Sequence, residues 1–132
     1  MVLIVGGRAQ GKSRLAVELA EESLPRMLDG EEISPAQLAD CKVLFNVDRL
    51  LWRMFIGEVS LTVEELADCL DRPGIIVTCT DVGGGIVPLS KEQRDYRDFV
   101  GMVVCILAAR ADQVYRVFAG ISTQIKGEEK TR

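Results

Sequence analysis

Residues 6–13 read Gly-Gly-Arg-Ala-Gln-Gly-Lys-Ser, between an apolar run at 2–5 and a helical pattern that starts at 12. The spacing G-x-x-x-x-G-K-S/T is that of a phosphate loop, and its mechanism requires a strand to deliver the loop and a helix to begin at its end. Both are in place here. Glycines let successive backbone amides turn inward, the helix N-terminus adds partial positive charge, and Lys12 brings a mobile full charge to the β and γ oxygens of a nucleotide. Ser13 is then the magnesium ligand. Gly6, Gly7, Arg8, Ala9, Gln10, Gly11, Lys12, Ser13 and Arg14 are the expected nucleotide-binding residues, with Mg2+ and ATP or GTP as the cofactors. The plain alternative is a glycine-rich turn that only caps a helix.

The rest of the chain alternates in the same way. Leu15, Ala16, Leu19 and Ala20 recur at helical spacing against Glu18, Glu21 and Glu22, up to Pro25. Residues 28–34 are polar and turn-like, and Ser34-Pro35 opens a short helix to about Asp40. A second strand is expected at 43–45 and a helix at 48–56, with Leu51, Trp52 and Phe55 along one side. Thr62 and Glu65 form a capping box for a further helix that ends near Asp71, before Pro73-Gly74. The third strand falls at 75–79. Ser90 and Gln93 open the longest helix, to about Ala111, and a fourth strand follows at 114–119. Strands separated by helices pair in parallel, because each crossover needs a helix to bring the chain back to the same edge. The expected class is α/β, a three-layer P-loop NTPase fold with a mostly parallel central sheet, as one nucleotide-binding domain over 1–126 and a charged tail at 127–132.

A phosphate loop calls for a second acid near the end of a neighbouring strand, to orient hydrated magnesium. Asp48, just past the second strand, is one candidate, and its alternative role is to cap the following helix. Asp81, past the third strand, is the other, and its alternative role is to cap the glycine turn at 83–85. Lys12, Asp48 and Asp81 are thus the candidate catalytic residues, and Ser13, Asp48 and Asp81 the candidate metal ligands. Arg94 and Arg97 sit three apart on one helix. They either hold phosphate bidentately or pair with Glu92, Asp95 or Asp98. Neither Asn-Lys-x-Asp nor Thr-Lys-x-Asp occurs to read a guanine base, so a transferase is a better expectation than a small GTPase.

Composition narrows the setting. Sixteen Lys and Arg against 20 Asp and Glu give a net charge of −4, which offers no basic field for nucleic acid. The longest uncharged stretch, residues 99–109, is eleven residues, short of the ~20 that span a bilayer. It is apolar nearly all round as a helix, so the core or another subunit must cover it. The first residues carry no basic flank or cleavage site of a secretory signal. Cys41, Cys69, Cys79 and Cys105 show no paired spacing, and histidine is absent. Reduced thiols in a cytoplasmic protein are the expectation, with all four cysteines as small buried hydrophobes.

Two blocks resemble the bifunctional adenosylcobinamide kinase/adenosylcobinamide-phosphate guanylyltransferase family of cobalamin biosynthesis. One is Gly-Gly-Arg-Ala-Gln-Gly-Lys-Ser-Arg at 6–14. The other is Val-Gly-Gly-Gly-Ile-Val-Pro at 82–88, followed by Arg94, Arg97, Asp98 and Gly101, then Ala-Asp-Gln-Val-Tyr at 111–115 and residues 119–126. The resemblance implies phosphoryl transfer from ATP or GTP to the hydroxyl on the aminopropanol arm of cobinamide or another corrinoid. It also implies that the family's Asn-Glu pair is represented by Thr80 and Asp81, and its Asn-Gln pair on the long helix by Val104 and Cys105. A homo-oligomer, in the family a trimer, is implied as well. The family's guanylyl transfer runs through a histidine that carries GMP. This chain has no histidine, and only residues 26–42 separate its first helix from the second strand, where the family carries an additional strand and the nucleophile's helix. Guanylyl transfer by that mechanism is therefore not expected. Trp52 and Phe55 are either core or cover for a corrin ring.

Overall fold

The computed structural model describes residues 1–20, 27–81 and 90–127. Among these, six strands form one sheet: β1 (Val2–Gly6), β2 (Met27–Asp29), β3 (Val43–Phe45), β4 (Ile76–Thr80), β5 (Gln113–Phe118) and β6 (Ile121–Lys126). Their order across the sheet is β2-β3-β4-β1-β5-β6. The first five run parallel, and only β6 pairs antiparallel, with β5. The helices are α1 (Lys12–Ala20), α2 (Val47–Phe55), α3 (Val63–Leu70) and α4 (Lys91–Arg110), with a 3-10 helix at Pro35–Asp40.

The layers follow from the two-residue side-chain period of the strands. On β1, Ile4 faces a cluster with Ala16, Val43, Ile76 and Val117, which α1 covers with Leu15 and Leu19. Leu3 faces the other way, among Leu44, Val77 and Val114, under Leu50 and Leu51 of α2, Leu66 and Leu70 of α3, and Val103 and Leu107 of α4. One helix covers one face and three cover the other. With both faces buried, β1 is apolar without alternation, as a central parallel strand must be. The expected α/β class with a mostly parallel sheet is what the chain adopts.

Local signals set the helix ends. Thr62 Oγ1 accepts from the Glu65 amide and Glu65 Oε1 from the Thr62 amide, each at 3.1 Å. Ser90 Oγ accepts from the Gln93 amide at 3.1 Å. Arg72 then ties α3 to the 3-10 helix and the turn after it by donating to the carbonyls of Cys69, Leu38 and Cys41.

Several expectations need correction. Residues 28–34, read as a turn, include part of β2. It is three half-buried residues long and takes its ladder from β3, a partner that no local pattern reveals. The interval 26–42 therefore retains a strand. At its end the Gly30 amide donates to Phe45 O at 2.8 Å, and a side chain at Gly30 would collide with the Asn46 carbonyl. β6 lies beyond the four strands expected. Its six residues are mostly exposed, so it has no apolar run, and a tight turn returns it onto β5. Ala119 and Gly120, at φ 52° and 77°, are the two central residues of that turn. On α4, Val100, Val103 and Leu107 are buried, but Gly101, Met102, Cys105 and Ala109 form an exposed stripe. Cys105 is thus exposed and Cys69 half-buried, while Cys41 and Cys79 are buried as expected. The Val-Gly-Gly-Gly block and the charged tail, apart from Gly127, lie outside the described residues.

Candidate functional site

The carboxyl ends of β1, β3 and β4 meet at one edge, where a parallel sheet presents its ligand crevice. From β1 the chain passes Gly6 and Gly7, then Ala9 at φ 56° and Gly11 at φ 102°, and enters α1 at Lys12. Gly6 has no room for a side chain, because a Cβ would lie 2.5 Å from the Val117 carbonyl oxygen. Gln10 clasps the loop to the β5–β6 turn: its Oε1 accepts from the Ala119 amide at 2.6 Å and its backbone oxygen from the Gly120 amide at 3.1 Å.

A hollow of about 470 Å³ opens over this loop. Residues 8–14 line one side, and Asn46, Asp48, Arg49 and Thr80 the other. Lys12, expected to be mobile, is 7% exposed and folded back, with Nζ donating to Gly7 O at 2.6 Å. Burial lowers its pKa, and the charge of Asp48 opposes that shift. Asp48 is itself 8% exposed. Burial pushes its carboxyl above the usual range, against the Thr80 amide, which donates to Oδ1 at 3.0 Å, and the charges of Arg49 and Lys12. The site thus sets a desolvated cation near a desolvated anion, each held up by the backbone.

Of Asp48's two expected roles, the helix cap falls to another residue. Asn46 occupies the N-cap of α2 in the left-handed region at φ 57°, and Asp48 is the second helical residue, within the first turn. The Asn46 amide donates to Thr78 Oγ1 at 2.9 Å and its side chain to Asp29 Oδ2 at 3.2 Å. This fixes the start of α2, and with it the Asp48 carboxylate. Tyr96 reaches across from α4 to donate to Asp48 O at 2.7 Å.

Ser13 lines the same hollow as Asp48, so a hydroxyl and a carboxylate, both hard oxygen donors, face one space. That set suits Mg2+, which keeps several waters and takes one or two carboxylates beside phosphate oxygens. No cluster of three Asp, Glu, Cys or His gathers among the described residues, so nucleotide and water would supply the remaining ligands.

Asp81 and Arg97 lie elsewhere. The Asp81 amide donates to Gly6 O at 2.8 Å, and Asp81 and Arg97 line a separate hollow of about 300 Å³ between the sheet and α4. Thr80 lines both hollows. The floor of the second includes Cys79, whose buried thiol is pushed up to about 12 and so stays neutral. Arg94 is exposed and lines neither hollow. Arg49 and Arg116, which line the first and second hollow respectively, were not among the expected residues. Arg49 directly follows Asp48, which is the one local signal for it. Trp52, 39% exposed, meets Tyr96 edge-on at 4.9 Å and lines a third hollow with Arg49 and Arg53, while Phe55 is half-buried.

The family model described as cobinamide kinase / cobinamide phosphate guanyltransferase matches residues 27–125. The chain is similar to the bifunctional adenosylcobalamin biosynthesis protein CobP of Pseudomonas aeruginosa, at 30% identity over 172 aligned positions that take in 96% of this chain and 97% of the relative. The alignment exceeds the chain by 40 positions, so CobP carries segments this chain lacks. It is also similar to the bifunctional adenosylcobalamin biosynthesis proteins CobU of Salmonella typhimurium and of Escherichia coli, each 44% identical over 62 residues, which cover 46% of this chain and 34% of either relative. With three quarters of its length matched by the family model, and CobP matched nearly end to end, this chain belongs to the cobinamide kinase / cobinamide phosphate guanyltransferase family.

Proposed function

We propose that this chain is a nucleotide-dependent kinase that transfers the γ-phosphoryl group of ATP or GTP to a hydroxyl of cobinamide, without histidine-borne guanylyl transfer. The observation that carries this reading is that buried Lys12 and buried Asp48 line one hollow walled by the phosphate loop, each within the field of the other's charge. In the reaction, the acceptor oxygen bonds to the γ-phosphorus while the bridging bond to the β-phosphate breaks. The nucleoside diphosphate leaves, and the hydroxyl proton passes to the carboxylate of Asp81 at the end of β4. Lys12 balances the charge on the phosphates, and the loop amides orient them. Ser13 and Asp48 would hold Mg2+, which supplies further charge neutralisation when bound. Arg97, beside Asp81 in the second hollow, would be the guanidinium donor for substrate or product, and Arg94, exposed on α4 outside both hollows, could assist only from solvent.

The test is to incubate the chain with Mg2+, labelled ATP or GTP, and cobinamide, and to follow cobinamide phosphate by mass spectrometry. Product that disappears in Lys12→Ala is the expected result. With GTP, no GMP should become bound covalently to the protein, because the chain has no histidine to carry it. A second reading is binding without turnover, favoured by Lys12 Nζ being already engaged with Gly7 O. It predicts tight nucleotide binding with no phosphorylated product under any acceptor. Homo-oligomer formation is supported by the exposed Met102 and Cys105 on α4, and sedimentation velocity checks it.

A further inference from the structure

The second hollow has features that the nucleotide does not use. Its α4 wall is Val100, Gly101 and Val104, and β1 adds Val5, so its body is apolar. Polar groups enter from the sheet end, where Thr80 and Asp81 stand, and from Arg97 and Arg116. Gly101 is the informative residue. Glycine weakens a helix interior relative to alanine, yet a Cβ built at Gly101 meets nothing within 4 Å. The missing side chain therefore makes no room for any described part of the protein. Exposed on α4, Gly101 leaves open the rim of the hollow it lines.

The hollow measures about 300 Å³, which suits a short aliphatic arm and is too small for a macrocycle. Thr80 is common to its wall and that of the nucleotide hollow, so a group seated at the polar end lies next to the phosphate loop. Resting on the kinase reading above, we infer that this hollow seats the hydroxyl-bearing arm of the phosphoryl acceptor. The arm lies along Val100 and Gly101 with its hydroxyl toward Thr80 and Asp81, while the bulk of the acceptor stays outside.

Gly101→Leu in the full chain tests this, with cobinamide and a non-hydrolysable ATP analogue with Mg2+ as separate calorimetric probes. Leucine fits the backbone of α4 and adds bulk at the exposed rim of the hollow that residue 101 lines. The expected result is cobinamide affinity at least tenfold weaker, with nucleotide affinity within twofold of the parent chain and a melting temperature no lower. Should Gly101→Leu fold poorly, Arg116→Gln on the opposite wall is expected to weaken cobinamide several-fold and to spare the nucleotide. Unchanged cobinamide affinity in the folded variants overturns the inference and leaves the kinase reading standing. So does a change in sedimentation without a change in cobinamide binding, which would assign the space over Gly101 to a second copy of the chain. A parent chain that does not bind cobinamide also overturns it. Loss of cobinamide binding in Gly101→Leu, from a parent that binds no nucleotide, upholds the seat and ends the kinase reading instead.

Discussion

Asp48 places a carboxylate where water is scarce, and its geometry fixes the sign of the consequences. A carboxyl raised by burial binds its proton more tightly in the folded chain than in the unfolded one. Its contribution to stability is therefore present in acid and is lost as pH rises through the folded pKa. Asp48→Asn keeps an oxygen to accept from the Thr80 amide and removes that loss. Its melting temperature at neutral pH is expected to exceed the parent's, read by calorimetry, while affinity for Mg2+-nucleotide falls at least tenfold. In the parent, that affinity should fall as pH drops through a value above the ordinary carboxylate range, and Asp48→Asn should lack the step. Gly6 gives a steric test. Gly6→Ala drives a methyl to 2.5 Å from a backbone oxygen of the neighbouring strand, and should cost about 2 kcal/mol or more in urea unfolding.

The elements differ in how far their own residues define them. The capping box of α3 is wholly local, so Thr62→Ala should cost about 1 kcal/mol by the same measurement. The β5–β6 turn is less well matched to its geometry. Alanine at residue 119, φ 52°, occupies a position where asparagine or glycine is favoured, and Ala119→Asn should stabilise the chain by about 0.5–1 kcal/mol. The phosphate loop, β1, α3 and α4 could be read from sequence because each announces itself within a dozen residues. β2 and β6 could not, since each is an edge strand whose evidence is a partner strand and not its own composition. The same holds for the site. Lys12, Ser13 and Asp48 share one hollow and were visible as a motif and an acid just past a strand. Arg116, and the separation of Asp81 from Asp48 into different hollows, depend on how α4 packs over the sheet, which no window of sequence contains.

For the molecule as a whole, a ligand that binds only the folded chain must raise its stability, by about 2.7 kcal/mol at a hundred times its Kd. An ATP or GTP analogue with Mg2+ should therefore raise the melting temperature, and Lys12→Ala should abolish the increase. No helix among the described residues is long and apolar enough to cross a membrane. The clasp made by Gln10 reaches furthest at this scale. By fastening the loop after the first strand to the hairpin that ends the sheet, it joins residues 109 positions apart in sequence. The backbone of the proposed phosphate receptor is thus shaped before any guest arrives. On the kinase reading the loop backbone has little ordering left to do on encounter, and the step that remains is the release of Lys12 Nζ from Gly7 O.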